Sequence, residues 1–334
     1  MRWTTACSLA VVAAGAAGMA HGQDGGVLDI TLELDGVAVA DAAAQLADQA
    51  GVPVLVAEHV TGTVTLQLEG VDLETAVRQV AEAVAGSWLR TYVVEPQEAT
   101  PEEYSASDLL GRLRLAWRDW LLRRSDEELA ALRERAGPGS SVLGPAQVEQ
   151  TPTGGTVVDV VRMVSAPFHE ERVTLDLQDV PFRDALDAFT LQSGYLALAP
   201  DGVDGVVQAQ LTDQPVDEAL STLCRAAQAT CRRVYVIGQP QELTPDEVEQ
   251  WFARMLEHSS ARFWQMPPEQ RRELVQRAAN RMDNLPEDVR QRIGSSPWAP
   301  RVMQRVVQYV TQLTPEQRRE VAPLLQAFGR LVGQ

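Results

Sequence analysis

Residues Ile30–Val94 align without a gap on Val173–Ile237, an offset of 143 residues, and 19 of the 65 aligned pairs are identical. Among them are Leu32/Leu175, Leu34/Leu177, Val37/Val180, Ala42/Ala185, Gly51/Gly194, Gly62/Gly205, Leu68/Leu211, Ala76/Ala219 and Tyr92/Tyr235. Other apolar positions keep their type, as in Leu46/Phe189 and Val80/Leu223. Self-similarity of this kind constrains the fold before any composition does, because both copies must form the same elements. The match resumes after a one-residue shift, PQEATPEE at Pro96–Glu103 against PQELTPDE at Pro240–Glu247. The repeated unit is therefore a small domain plus the start of a helical appendage.

Within each copy the hydrophobic period switches in order. Ile30, Leu32 and Leu34 alternate with polar residues, as in a half-buried strand. From Val37 to Ala50 the period is helical, with Val39, Ala42, Ala43, Leu46 and Ala50 on one face. Gly51 and Gly194 stand where a helix C-terminus favours positive φ. A short strand is expected at Pro53–Ala57, a turn at Gly62, and an alternating strand through Val64, Leu66 and Leu68. Asp72 is a good N-cap for a second helix, which ends near Gly86 before the strand Trp88–Val94. The expected fold class is α+β: two duplicated βαββαβ domains, residues 28–96 and 172–239, each followed by short amphipathic helices. The helices are rich in alanine, which lets them lie close to a sheet, and nothing points to a large ligand cavity.

The stretches Thr31–Leu34, Asp41–Gly51, Val60–Leu68 and Leu73–Tyr92, with Val180–Gly194, Gly205 and Pro215–Leu220 in the second copy, resemble the short N-terminal domain shared by secretins and TonB-dependent receptors. The resemblance covers the two repeated cores, about 130 residues, and rests on hydrophobic spacing and two glycines. It implies a βαββαβ fold that mediates protein–protein contacts in the cell envelope, with no catalytic residues to carry over. The chain lacks the secretin channel region and a receptor barrel, so it is not expected to be the pore.

After each core the pattern becomes amphipathic helix. Thr100-Pro101 and Thr244-Pro245 read as helix starts, with threonine as N-cap and proline at the first helical position. Residues 97–136 form the first appendage. Residues 137–171 read as a linker, with a strand expected over the β-branched run Val157–Val164. The region 240–334 reads as all-helical, with helices at Pro245–His258, Pro268–Arg281, Pro286–Ile293, Arg301–Gln312 and Pro315–Val332. Trp117, Trp120, Trp251, Trp264 and Trp298 fall in or near these appendages, where large side chains anchor short helices to their neighbours.

The first 22 residues read as an export signal: Arg2 is the only charge before Asp24, an Ala/Gly-rich apolar run spans Leu9–Ala20, and small residues follow. No later segment is long and apolar enough to span a bilayer. The expected location is the periplasm, with an association to the outer membrane as a further expectation. Two cysteines follow this segment, Cys224 and Cys231, an even number that in an exported chain suggests a disulfide. On a continuous helix their spacing would hold them about 10 Å apart, so the bridge requires the helix to end between them.

The net charge of −17 is uneven. Residues 23–240 hold 34 acids and 15 arginines, residues 241–334 hold 12 acids and 13 arginines, and the chain has no lysine. An acidic front half repels nucleic acid and anionic lipid, so no nucleic-acid partner is expected. Absence of lysine excludes a P-loop and any Schiff base. His59, His169 and His258 lie in different segments without a second ligand type at metal spacing. No nucleophile motif or phosphate-binding loop occurs. The expectations are therefore no catalytic residues, no cofactor and no metal. They describe a non-enzymatic envelope adaptor or scaffold, whose partners are envelope proteins such as secretin or TonB-system components. A periplasmic chaperone or ligand-binding module acting through the C-terminal helices is the other reading.

Overall fold

The computed structural model describes residues 29–100, 102–136, 149–150, 156–166, 168–285, 287–296 and 298–332. The export signal expected in residues 1–22 and most of the expected linker lie outside them. The first repeat runs β1 (Ile30–Ala38), α1 (Val39–Ala50), β2 (Val54–Val56), β3 (Thr63–Val71), α2 (Leu73–Ala83) and β4 (Ser87–Pro96). A helical hairpin follows, α3 (Ala106–Arg123) and α4 (Asp126–Ala136), then β5 (Glu149–Gln150), β6 (Thr156–Val158) and α5 (Val160–Met163). The second repeat runs β7 (Arg172–Pro181), α6 (Phe182–Ser193), β8 (Ala197–Leu198), β9 (Val206–Pro215), α7 (Val216–Ala226) and β10 (Ala229–Gly238). β11 (Gln241–Leu243) leads into α8 (Pro245–Gln265), α9 (Pro268–Asp283), α10 (Glu287–Gly294), α11 (Ala299–Gln312) and α12 (Pro315–Val332).

Local chemistry accounts for the repeat's outline. Gly51 and Gly194 cap α1 and α6 in the left-handed region, at φ 63° and 80°. The Asp72 carboxylate accepts the Thr75 N–H and caps α2. β1 pairs with β3 and β7 with β9 as antiparallel ribbons whose register shifts fall at the same repeat positions. Positive φ recurs at the 143-residue offset: Gly36 with Asp179, Gly70 with Asp213, Ala85 with Gln228. The backbone thus repeats bends that the side chains alone do not conserve.

The last strands decide the architecture. β4 pairs antiparallel with β10 over ten residues, from Ser87↔Gly238 to Pro96↔Ala229. The sheet order is β2-β10-β4-β8, so β2 of the first repeat adds in parallel to the second repeat's β10, and β8 of the second adds to the first repeat's β4. The pair Thr91↔Val234 joins equivalent positions of the repeats, and a pseudo-dyad passes through it: Arg90↔Tyr235 on one side mirrors Tyr92↔Arg233 on the other. The repeats follow one another in the sequence, and in the structure they interleave into one unit. The reason is edge satisfaction, since a strand of two or three residues gains stability only on a long neighbour.

β4 is buried on both faces. On one face Trp88, Arg90, Tyr92 and Val94 alternate, and on the other Leu89, Thr91 and Val93. The second face belongs to a core shared with α3 and α5, through Leu109, Leu110, Leu113, Trp117, Trp120 and Val161. Trp117 and Trp120 stack at 5.0 Å between ring centroids, and both are buried.

Three expected element boundaries shift. Helix α3 begins at Ala106 rather than at Thr100-Pro101, because the Ser105 hydroxyl accepts the Asp108 N–H as cap, while Glu102 is tied by its N–H to Glu95 and by its carbonyl to Arg232. The run Val157–Val164 is strand only to Val158 and then turns helical, because Asp159 caps α5 by accepting the Arg162 N–H. Helix α8 passes through His258 to Gln265, since Ser259-Ser260 carries no glycine or proline to stop it.

The appendages dock through arginines. Arg123 and Arg124 pair with Asp187 on α6 at 2.8 and 2.6 Å, and Arg135 donates to the Leu191 and Gln192 carbonyls at the end of α6. On α9, Arg277 and Arg281 donate to the carbonyls of Leu121, Leu122, Arg123 and Arg124 at the C-terminus of α3, the end of a helix that favours cations.

A proline in the shared ladder tests the interleaving. Val234→Pro removes a central ladder hydrogen bond at a cost of about 3 kcal/mol or more. Hydrogen exchange is expected to show faster exchange in β2 of the first repeat as well as in β10. Unchanged protection at residues 54–56 would show that the repeats fold independently.

Candidate functional site

The strongest concentration of polar chemistry lies on the dyad face of the shared sheet. Arg90 is 6 % exposed, and its donors are all engaged nearby. Nε donates to the Tyr92 hydroxyl at 2.9 Å, and Nη1 to Glu74 at 2.7 Å and Glu171 at 3.0 Å. Nη2 lies 3.1 Å from Asp217 Oδ1. The Tyr92 hydroxyl in turn donates to Asp217 at 2.7 Å. Arg233, the repeat counterpart of Arg90, pairs with the other Asp217 oxygen at 3.1 Å, and the Tyr235 hydroxyl donates to Glu74 at 3.3 Å. Glu74 and Asp217 come from equivalent first turns of α2 and α7, and each serves both repeats, whereas Glu171 lies just before β7.

One end of the cluster has no counterpart at the other. Tyr195, which follows the α6 cap, stacks under the Arg90 guanidinium at 4.5 Å, meets Tyr92 edge-on, and donates its hydroxyl to Glu171. His169 stacks on the far side of Tyr195 at 4.5 Å. Burial by itself disfavours the Arg90 cation, but Tyr92, Asp217, Tyr195 and Glu74 more than offset it and raise its pKa. Burial likewise pushes the Tyr92, Tyr195 and Tyr235 phenols above their ordinary range, with Arg90 or Arg233 opposing.

The arrangement is closed. With its donors spent and its side chain out of solvent, Arg90 has nothing left to offer a substrate. The cluster acts instead on register: a one-residue slip of β4 along β10 would turn Arg90 to the opposite face, away from its three acids. The sequence carried a signal for it, because Arg90/Arg233 and Tyr92/Tyr235 are identical in both repeats on otherwise apolar strands. That signal marks repeated polar positions but not which acids meet them, since Glu74 comes from the same repeat as Arg90, Asp217 from the other and Glu171 from the segment before β7.

The remaining expected residues lie apart. His59 Nε2 lies 3.0 Å from the Gln239 carbonyl, and the His258 side chain lies outside the described residues. Among the described residues no group of three His, Cys, Asp or Glu side chains could hold a metal ion, and no helix is long and apolar enough to cross a membrane. An open depression of about 610 Å³ on α2 and β3 is lined by Leu66, Arg78, Gln79, Glu82 and Ala83, none of them convergent on a point. Cys224, buried, and Cys231, partly exposed, are free thiols, and Cys231 packs against the core that contains Cys224. Helix α7 does end between them, at Ala226, the condition their expected bridge requires.

Removing Arg90 leaves three acids and two phenols without their cation. Arg90→Ala is expected to cost about 3–5 kcal/mol in chemical denaturation, whereas breaking the exposed pair of Arg172 and Asp213 with Arg172→Ala should cost under about 1 kcal/mol. Equal losses would show the cluster to be no more than surface electrostatics.

The tyrosines set a pH dependence. Their folded pKa values lie above the unfolded value of about 10, so the unfolded chain loses protons first as pH rises. Stability is full below about pH 10 and falls above it. Urea midpoints measured up to about pH 11 should show this fall, and Tyr92→Phe should shrink it. A fall unchanged in Tyr92→Phe would place its origin elsewhere. No known protein family, curated protein or solved structure matches this chain.

Proposed function

We propose that the chain is a non-enzymatic adaptor of the cell envelope that binds another envelope protein, of a secretin- or TonB-linked system, through its interleaved repeats. The observation that carries this reading is where the chain leaves strand edges unpaired. The ribbons β1-β3 and β7-β9 have two strands each, and among the described residues no strand adds to the outer edge of β3 or β9. The other edge is tied off in both repeats, Gln49 bonding the Thr31 backbone and Gln192 the Thr174 N–H. One blocked and one open edge per repeat suits the addition of a partner's extended segment, with backbone hydrogen bonds giving affinity. The likeness of each repeat to the secretin/TonB short N-terminal domain supports the same reading, as does a polar cluster consumed in holding the repeats together. Export to the periplasm, near the outer membrane, belongs to this proposal.

The alternative, a chaperone or ligand-binding module working through the C-terminal helices, draws on their thin core. Val275, Leu313 and Val321 are buried there, while Phe263, Trp264, Tyr309, Leu324 and Leu325 are only partly covered, and Val307 is 53 % exposed.

In-cell cross-linking of the tagged chain followed by mass spectrometry separates the two. The adaptor reading expects one defined envelope partner, with cross-links in β3 or β9. Gln67→Lys with Gln210→Lys, exposed and equivalent on those strands, should cut its recovery about tenfold while circular dichroism stays unchanged. Recovery unaffected by these substitutions, with many clients cross-linked beyond residue 241, would transfer the function to the helices.

A further inference from the structure

The second repeat holds a feature that the first lacks. Cys224 lies in the last turn of α7 and is buried, whereas Cys231, near the start of β10, is partly exposed. In between, Ala227 ends the helix and Gln228, at φ 54°, turns the chain back, so that the strand returns along its own helix. Cys231 packs against the core that contains Cys224. At the equivalent positions the first repeat has Ala81 and Trp88, so the pair is not imposed by the fold. It stands on the shared strand, where Cys231 lies opposite Val94 and two residues from Arg233 of the dyad cluster.

We propose that Cys224 and Cys231 form a thiol–disulfide exchange site, in which Cys231 is the entry thiol for a small disulfide and Cys224 resolves it, locking α7 onto the shared sheet. The Cys231 thiolate attacks one sulfur of RSSR; that S–S bond breaks, and RS⁻ leaves and takes up a proton. Cys224 then loses its proton to solvent and attacks Cys231 Sγ, expelling the second RS⁻. Two protein thiols are oxidised to one disulfide and RSSR is reduced to two RSH.

The division of roles follows from position. Exposure gives Cys231 access to the oxidant, and the neighbouring Cys224 holds its thiol below the ordinary range against the opposing effect of burial. Cys224 is held protonated first by Cys231 and then by burial. Cys224 is buried in the last turn of α7, so the small disulfide meets the partly exposed Cys231 first and Cys224 reacts only with the mixed disulfide beside it. The closed loop is short, and its bridge ties a helix end to the strand on which both repeats depend.

The test uses the full chain with Cys7→Ser, reduced and then incubated with graded ratios of oxidised to reduced glutathione. The expected product is an intrachain Cys224–Cys231 bond, read as a mass loss of about 2 Da and a rise in Tm of roughly 5 °C. With Cys224→Ala, one glutathione should remain attached at Cys231. With Cys231→Ala, Cys224 should stay unmodified while the chain is folded, and circular dichroism confirms that state. If either variant fails to fold, peptide mapping after brief alkylation of the parent chain reads the same order, with Cys231 labelled first. Absence of the intrachain bond at every ratio, or Cys224 reacting before Cys231, would overturn the proposal.

Discussion

The ten-residue ladder between β4 and β10 is the constraint on which everything else rests. Neither β2 nor β8 has a long strand of its own repeat beside it; each lies on the partner repeat's last strand. Each two-stranded ribbon, with its two helices, closes over a sheet that neither repeat makes alone. The helical appendages depend on it at one remove, because α3 and α5 cover the sheet's second face and the C-terminal helices grip the end of α3. Loss of the ladder would leave two incomplete ribbons without a common core.

A hydrophobic isostere of the buried ion cluster could hold the strands as well or better, since desolvating several charges offsets much of their attraction. What apolar packing does not supply is discrimination. Apart from Arg90 and Thr91 the middle of β4 is apolar on both faces, and its Leu, Tyr and Val alone could slide by a residue with little loss. Arg90 between Glu74, Glu171 and Asp217 makes such a slip cost a stranded cation. Specificity of register, rather than added stability, is the physical role that the geometry supports for the cluster.

The two repeats differ mainly where they do separate work. Asp187 on α6 anchors the α3–α4 hairpin through Arg123 and Arg124; its counterpart on α1 is Ala44, and nothing equivalent docks there among the described residues. Tyr195 occupies the position of Val52, and the thiol pair replaces Ala81 and Trp88. The second repeat has thus become the support for the helical parts, while the first keeps a plainer, alanine-rich face. A pseudo-symmetric pair that has lost its symmetry on one side presents two different surfaces to a partner.

Much of the local structure could be read from residues in sequence. The period-2 and period-3.6 patterns place β1, α1, β3 and α2, and glycines and Asp72 set their ends, because those choices depend on neighbours a few positions away. Helix starts at proline and threonine place α8, α9 and α12 for the same reason. Thr100-Pro101 misleads because Glu102 is bonded to Glu95 and, from far away in sequence, to Arg232, while Ser105 supplies the helix cap. The interleaving was not legible at all: a strand's pattern records that both its faces are buried but not which strand lies beside it. Pairing β4 with β10, and so assembling Arg90, Glu74, Asp217 and Tyr92 into one cluster, depends on edges and faces that exist only once both repeats have formed. The amino-acid sequence by itself determined what each element is; the tertiary structure decided which elements belong together, because backbone hydrogen bonds between strands carry no side-chain label.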